Sequence, residues 1–246
     1  MKAIALVPGT TNVSLRDVAE PKVSAPDDVK IKIRQVGICG TDREEVSGGR
    51  ADAPAGKKEL IIGHEMFGEV VETGEDVTTV APGDYAVFTV RRGCNECPAC
   101  LNNRSDLCYT GKYTERGIKG ADGFQAQYVV DKEKYLVKVP ESIKEIGVLT
   151  EPMSVAAKAI DEALIVQGAR LKDIGPAEHW LEGKKALVAG IGAIGLMAAF
   201  ALQLRGAHVI GMDVVDEDSL RPQLLKQIGG TYVDGRKVQT LDLDET

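Results

Sequence analysis

The 246-residue chain predicts an α/β-plus-β architecture, an all-β, barrel-like domain followed by a parallel βαβ domain. Three observations carry this. Up to residue 139, short apolar segments alternate with turns rich in Pro, Gly and Asp, the pattern of a small barrel. Beyond residue 183, an apolar strand runs through a glycine-rich turn into an apolar helix and a second strand, the pattern of a parallel sheet. Within the first segment, four of the five cysteines crowd into the stretch from Cys94 to Cys108. The expected organisation is a first domain over 1–150 with a cysteine lobe at 93–108. A connecting helix and linker over 151–183 follow, then the first half of a dinucleotide-binding sheet over 184–246.

Bulk composition narrows the function classes. A hydrophobic fraction of 43% and a charged fraction of 27% are those of an ordinary soluble protein. A net charge of −7 argues against nucleic acid or an anionic membrane as partner. Apolar runs are too short to span a bilayer, and Met1-Lys-Ala-Ile-Ala-Leu6 starts a strand with no cleavage region. The expected compartment is cytoplasmic and reducing, where clustered cysteines bind metal in preference to forming disulfides.

In chain order, residues 1–15 and 28–36 read as strands. Val29-Lys-Ile-Lys-Ile-Arg-Gln-Val36 has the two-residue period of a half-buried one. Gly37-Ile-Cys39-Gly-Thr41-Asp42 reads as a loop presenting Cys39, and 44–58 as a surface loop without a motif. Then comes Gly63-His64-Glu65-Met-Phe-Gly68. Thiolate, imidazole and carboxylate from Cys39, His64 and Glu65 can close three sides of a zinc tetrahedron and leave the fourth for a substrate oxygen. Gly63 and Gly68 are read as the residues that let adjacent His64 and Glu65 face one ion. Strands are expected at 67–73, 85–90, 123–130 and 135–139.

Cys94-Asn-Glu-Cys97-Pro-Ala-Cys100 and Cys108 offer four thiolates to one ion with no open position, a structural zinc. After Pro140 the pattern turns helical, with Pro152 in a first turn where its missing N–H costs nothing. The helix body is expected at 154–166, and 167–183 as a polar connector containing Trp180. Lys184 to Ala189 is a strand, Gly190-Ile-Gly192-Ala193-Ile194-Gly195 the turn, and 196–204 a helix. A strand at 208–212 ends at Asp213, eighteen positions past Gly195. In that setting the glycine pattern points to a pyrophosphate at the helix N-terminus, with Asp213 on the ribose 2′-hydroxyl. That carboxylate and the absence of an adjacent arginine favour NAD, with NADP left open. A helix at 219–228, a strand near 231–233 and an acidic tail at 241–246 complete the chain. Only the adenine-side half of a dinucleotide sheet is written, so a piece of a longer enzyme is expected.

Taken together, Gly-Ile-Cys39-Gly-Thr41-Asp42, Gly63-His64-Glu65, the Cys94/Cys97/Cys100/Cys108 lobe, Pro82-Gly-Asp84, Glu151-Pro152 and Gly190 to Gly195 resemble the zinc-dependent medium-chain dehydrogenases. Cys39-Gly-Thr41-Asp42-Arg43-Glu44, Val90-Arg91-Arg92-Gly93-Cys94, Gly111 to Gly117 and Gly230-Thr-Tyr-Val-Asp-Gly-Arg236 are similar to the archaeal-type glucose 1-dehydrogenases. The resemblance implies a GroES-like catalytic domain before a Rossmann domain, and oxidation of an aldose at C1 to the lactone. A polyol or secondary-alcohol dehydrogenase is the alternative, and a non-catalytic zinc-stabilised piece a further one. It implies Cys39, His64 and Glu65 as ligands of the catalytic zinc, and Glu151 as a further ligand or substrate contact. Thr41 and Glu115 would touch the sugar, and subunits would pair as homodimers or homotetramers. Thr41, two residues past a ligand, is placed to carry the substrate proton outward. One thiolate and two carboxylates would leave a zinc centre at −1, so Glu65 and Glu151 are not expected to bind zinc together throughout turnover.

Overall fold

The computed structural model describes residues 1–171 and 179–238. The chain divides into two compact units, Met1–Glu151 and Pro152–Thr246. Among the described residues, no helix is long and apolar enough to cross a membrane.

The first unit is built from β1 (Lys2–Leu6), β2 (Val13–Asp17), β3 (Asp28–Gly37), α1 (Gly40–Val46), β4 (Leu60–Ile61), β5 (Glu65–Thr73), β6 (Tyr85–Phe88) and β7 (Arg91–Arg92). It continues with α2 (Pro98–Leu101), β8 (Thr114–Arg116), β9 (Gly120–Ala121), β10 (Tyr128–Lys132) and β11 (Leu136–Val139). Five of these strands make one sheet in the order β10-β3-β5-β6-β11. Two three-stranded sheets, β2-β1-β4 and β7-β8-β9, complete the unit. The axis is the β3–β5 pair, which slips register twice, between Lys30 and Ile31 and between Ile33 and Gln35. Such irregularities bend a strand, and here they close the sheet around Val29, Ile31, Met66, Phe67, Val70, Phe88 and Phe124. The strict alternation read in β3 fails at Lys30. It is buried, yet donates to Glu20 at 2.6 Å. The ion pair permits what the pattern did not foresee.

Further expectations change in this unit. Cys39 lies in the two-residue link between β3 and α1 and caps that helix, so Thr41 and Asp42, expected in the loop, are already helical, and the region read as surface loop from residue 44 begins inside α1. The helix escaped detection because its inward residues are Asp42 and Glu45, which give no apolar period. The strand expected at 123–130 starts only at Tyr128. Gly68 serves packing rather than a turn, since a β-carbon on it would overlap Ile31 and the Lys32 carbonyl.

The second unit holds most of α3 (Thr150–Arg170), then β12 (Lys185–Ala189), α4 (Ala193–Leu204), β13 (His208–Asp213), α5 (Leu220–Gln227) and β14 (Thr231–Asp234). Its sheet is parallel in the order β12-β13-β14. Pro152, Ala156, Ile160 and Leu164, four apart in sequence, form the buried stripe of α3. Ile160 and Leu164 belong to a core with Ile191, Ala199, Val209 and Leu225, against which Trp180 packs. Here α3 runs four residues past the expected 154–166 body, to Arg170, so the connector begins later. Part of that connector, and the acidic tail at 241–246, lie outside the described residues.

Candidate functional site

Cys39 enters the site through helix capping. Its N–H donates to Asp42 Oδ2 at 2.7 Å, and its Sγ accepts the Thr41 N–H at 3.2 Å. This reciprocal arrangement satisfies two backbone donors at the start of α1 and fixes the direction of the sulfur. Burial pushes the Cys39 thiol up, against the pull of the Thr41 and Asp42 N–H groups.

His64 precedes β5 directly, and Glu65 is its first residue. Gly63, with φ of 89°, supplies a left-handed turn just before them. Gly37 lies opposite Glu65 in the β3–β5 register, and a β-carbon on it would occupy the place of the Glu65 carboxylate. His64 Nε2 reaches 3.1 Å from Cys39 Sγ. Donor atoms of Cys39, His64 and Glu65 all lie within 4.8 Å of one another. The other ring nitrogen, Nδ1, faces Asp42 Oδ1 at 3.7 Å, and both of these buried atoms lack a hydrogen-bond partner.

Sulfur, nitrogen and oxygen donors around one point fit an open zinc centre. The electrostatics point the same way. Burial raises both Cys39 and Glu65, favouring their neutral forms, and a divalent cation reverses that balance. A carboxylate behind the ligating imidazole is the usual partner of a metal-bound histidine. Asp42 was not singled out by sequence reasoning, although the Cys-x-x-Asp spacing of a capping box was there to be read.

The remaining expected residues fall in different places. Glu151 is not in the three-donor group. Its carboxyl is pushed up to about 7 by burial, then by Glu65 and Asp42. Glu115, on β8, is 6% exposed and accepts Arg91 Nε at 3.1 Å and Nη2 at 2.6 Å on its Oε1. Thr41 contributes the amide already described.

Cys94, Cys97, Cys100 and Cys108 form a second group within the same 4.8 Å limit. Cys97 caps α2, and the chain closes tightly, with Cys100 Sγ 3.0 Å from where a β-carbon on Gly93 would stand. The thiols are split. Hydrogen bonding from the Thr110 hydroxyl first, and from Glu96 and Cys97, draws Cys94 down to about 6, while burial drives Cys100 up to about 12. Four sulfurs so close cannot all ionise without a cation, and this fits a closed, structural zinc.

In the second unit, Gly190 has φ of 88°, and a β-carbon on Gly195 would overlap the Gly190 carbonyl. The turn therefore packs α4 closely onto β12. Gly192 is the N-cap, and Ala193 and Ile194 open the first turn, whose amides have no intrahelical acceptor, an arrangement that favours a negative charge. Asp213, expected from the sequence to meet a ribose, makes two backbone contacts of its own. Its Oδ2 accepts the Ile191 N–H at 2.9 Å and its Oδ1 the Val214 N–H at 2.7 Å, clasping the turn to the end of β13. Arg221 Nη1 comes within 3.8 Å of that carboxylate.

Two family models match, the alcohol dehydrogenase GroES-like domain over residues 25–141 and the glucose dehydrogenase C-terminus over 144–246. The chain is 42% identical over 235 residues to glucose 1-dehydrogenase 2 of Vulcanisaeta moutnovskia, covering 95% of this chain and 64% of that one. It is 35% identical over 246 residues to glucose 1-dehydrogenase of Metallosphaera sedula, covering 99% and 67%. Among solved structures, Haloferax mediterranei glucose dehydrogenase in complex with NADP, zinc and gluconolactone is similar with a TM-score of 0.83. Identity there is 30%, with coverage of 100% of this chain and 67% of that chain. The chain thus spans about two thirds of the length of the relatives it matches.

Proposed function

Since the chain belongs to the zinc-dependent medium-chain dehydrogenases, in the group of the glucose 1-dehydrogenases, we propose that its protein oxidises an aldose at C1 to the lactone, with transfer of hydride to NAD(P). The observation that carries this is the convergence of Cys39, His64 and Glu65 within 4.8 Å. Gluconolactone, the compound bound in the Haloferax enzyme, is the product this reading assigns to glucose.

Cys39, His64 and Glu65 would hold the catalytic zinc, which when bound supplies Lewis-acid polarisation of the sugar hydroxyl. Asp42 orients the His64 ring from behind and fixes Cys39 through its N–H. Thr41 takes the hydroxyl proton and passes it outward. Glu115, anchored by Arg91, accepts from the sugar. Glu151 sits beside Glu65 as a substrate contact, because two adjacent carboxylates on one ion would leave it under-charged. Gly190, Gly192 and Gly195 with the Ala193 and Ile194 amides receive the pyrophosphate, and Asp213 the adenosine ribose, which favours NAD over NADP. Cys94, Cys97, Cys100 and Cys108 would hold a structural zinc. We place the protein in the cytoplasm as a homodimer or homotetramer.

The test is turnover of glucose, galactose, xylose and sorbitol with NAD and with NADP, alongside metal content. Two zincs per chain and preference for an aldose support the reading. Preference for sorbitol makes it a polyol dehydrogenase, and a single zinc held only by the cysteine lobe removes the catalytic centre.

A further inference from the structure

Arg50 lies in the loop that follows α1, and the reaction above gives it no part. It has φ of 48°, in the left-handed region that is costly for a residue with a β-carbon. The other non-glycine residues with positive φ among those described are Asn95 and Asn103, a type that tolerates it. Arg50 lines a cavity of about 410 Å³ together with Asp52, Tyr113, Glu115 and Lys119, a size within the range of small-molecule sites.

Glu115, Tyr113 and Lys119 are held by contacts of their own. Arg91 grips Glu115 Oε1 with two hydrogen bonds and packs over the Tyr113 ring at 4.3 Å. Lys119 Nζ is 3.9 Å from the centre of the same ring and donates to the Gly111 carbonyl. That leaves Glu115 Oε2, which faces Arg50 Nη2 at 3.9 Å. This is too long for a hydrogen bond. It is a span that one hydroxyl oxygen can bridge, accepting from the guanidinium and donating to the carboxylate at about 2.8 Å from each. An anionic oxygen has no proton for Glu115 and would be repelled by it and by Asp52.

We propose that Arg50 is a specificity-determining residue of the sugar site, bracketing one substrate hydroxyl between itself and Glu115. This rests on the aldose reading above. The left-handed backbone aims the guanidinium, and Arg91 fixes its counterpart, so the pair is ready before substrate arrives. A site built to bond a hydroxyl discriminates strongly against the analogue lacking it, because its partners are then left unpaired.

The experiment measures kcat/KM of the zinc-loaded protein and its Arg50→Gln and Arg50→Gly variants on glucose and its 2-, 3-, 4- and 6-deoxy forms. One deoxy sugar should fall at least about thirtyfold below glucose with the parent. R50Q should lower glucose turnover at least about tenfold yet leave that deoxy sugar unchanged. R50G should show the same collapse of selectivity without an earlier melting temperature, since glycine adopts the same φ without cost. Equal losses on every sugar, or no loss on glucose, overturn the proposal. If no aldose is turned over, the reaction reading has failed instead. Saturation-transfer NMR of the same sugars then decides: deoxy discrimination that disappears in R50Q supports the site, and binding indifferent to Arg50 overturns it.

Discussion

Adding one methyl group at Gly37 separates metal binding from folding more sharply than deleting a ligand. Gly37 ends β3 directly opposite Glu65, and a β-carbon there would overlap Glu65 Oε2 and stand 3.0 Å from Glu65 Cβ and Cδ. The atom in the way is the tip of a flexible side chain, so it can swing aside. Overpacking a core costs about 1–3 kcal/mol, and a movable carboxylate puts G37A at the low end, about 1 kcal/mol. The displaced oxygen, however, leaves the 4.8 Å neighbourhood it shares with Cys39 and His64. Disturbing even a ligand's support weakens a metal site about 10–100-fold, so moving the ligand itself should cost at least that, about 1.4–3 kcal/mol. Competition with a chromophoric chelator reads both zincs, and the four-cysteine site serves as internal control. G37A should keep one zinc at parental affinity and lose grip on the other, with little shift in the urea midpoint. Two zincs held as tightly as in the parent would remove Glu65 from the ligand set.

Three further outcomes follow from the same geometry. Asp42→Asn keeps an acceptor for the Cys39 N–H but removes the charge behind His64, so open-site zinc affinity should drop about tenfold with stability changed by less than about 1 kcal/mol; chelator competition and urea unfolding measure the two. Cys97→Ser, at the most buried of the four lobe cysteines, should release the structural zinc and expose 93–108 to limited proteolysis, because a closed zinc site contributes folding energy directly. Glu45 is fully buried, and burial, then Asp42, raises its carboxyl to about 8. The folded state keeps a proton that the unfolded state gives up from about pH 4.5. Stability should therefore fall as pH rises from 4.5 towards 8, by about 1.4 kcal/mol per unit, and Glu45→Gln should abolish that slope in urea titrations. Equal slopes in both proteins would mean that Glu45 is ionised throughout.

The three candidate donors were legible because each lies in a glycine-flanked signature whose chemistry does not depend on where the chain goes next. Cys39 and His64 had only to be recognised as donor types, and the β3–β5 pairing then brings them together. The glycine turn was legible for a similar reason, since strand, turn and helix are consecutive. What escaped was whatever depends on burying charge. Hydropathy patterning treats Asp42-Arg-Glu-Glu45 as a solvated run, whereas Asp42 and Glu45 are among the least exposed residues of the first unit. Asp42 is turned inward because it must cap Cys39 and face His64, and no periodicity reports such a constraint.

The same reason explains why the loop after α1 looked empty. Residues that build a polar site are selected for the partners they meet, so Glu115 makes sense only once Arg91 and Arg50 approach it from different strands and loops. Glu151 shows the limit from the other side. Its place in a motif suggested a ligand or a substrate contact, and, after burial, the carboxylates of Glu65 and Asp42 raise its pKa. A third acidic donor there would have to displace charge already gathered around the ion. The pattern therefore favours Glu151 as the group that meets the substrate rather than the metal, and zinc affinity that survives Glu151→Gln while sugar KM rises would be its signature.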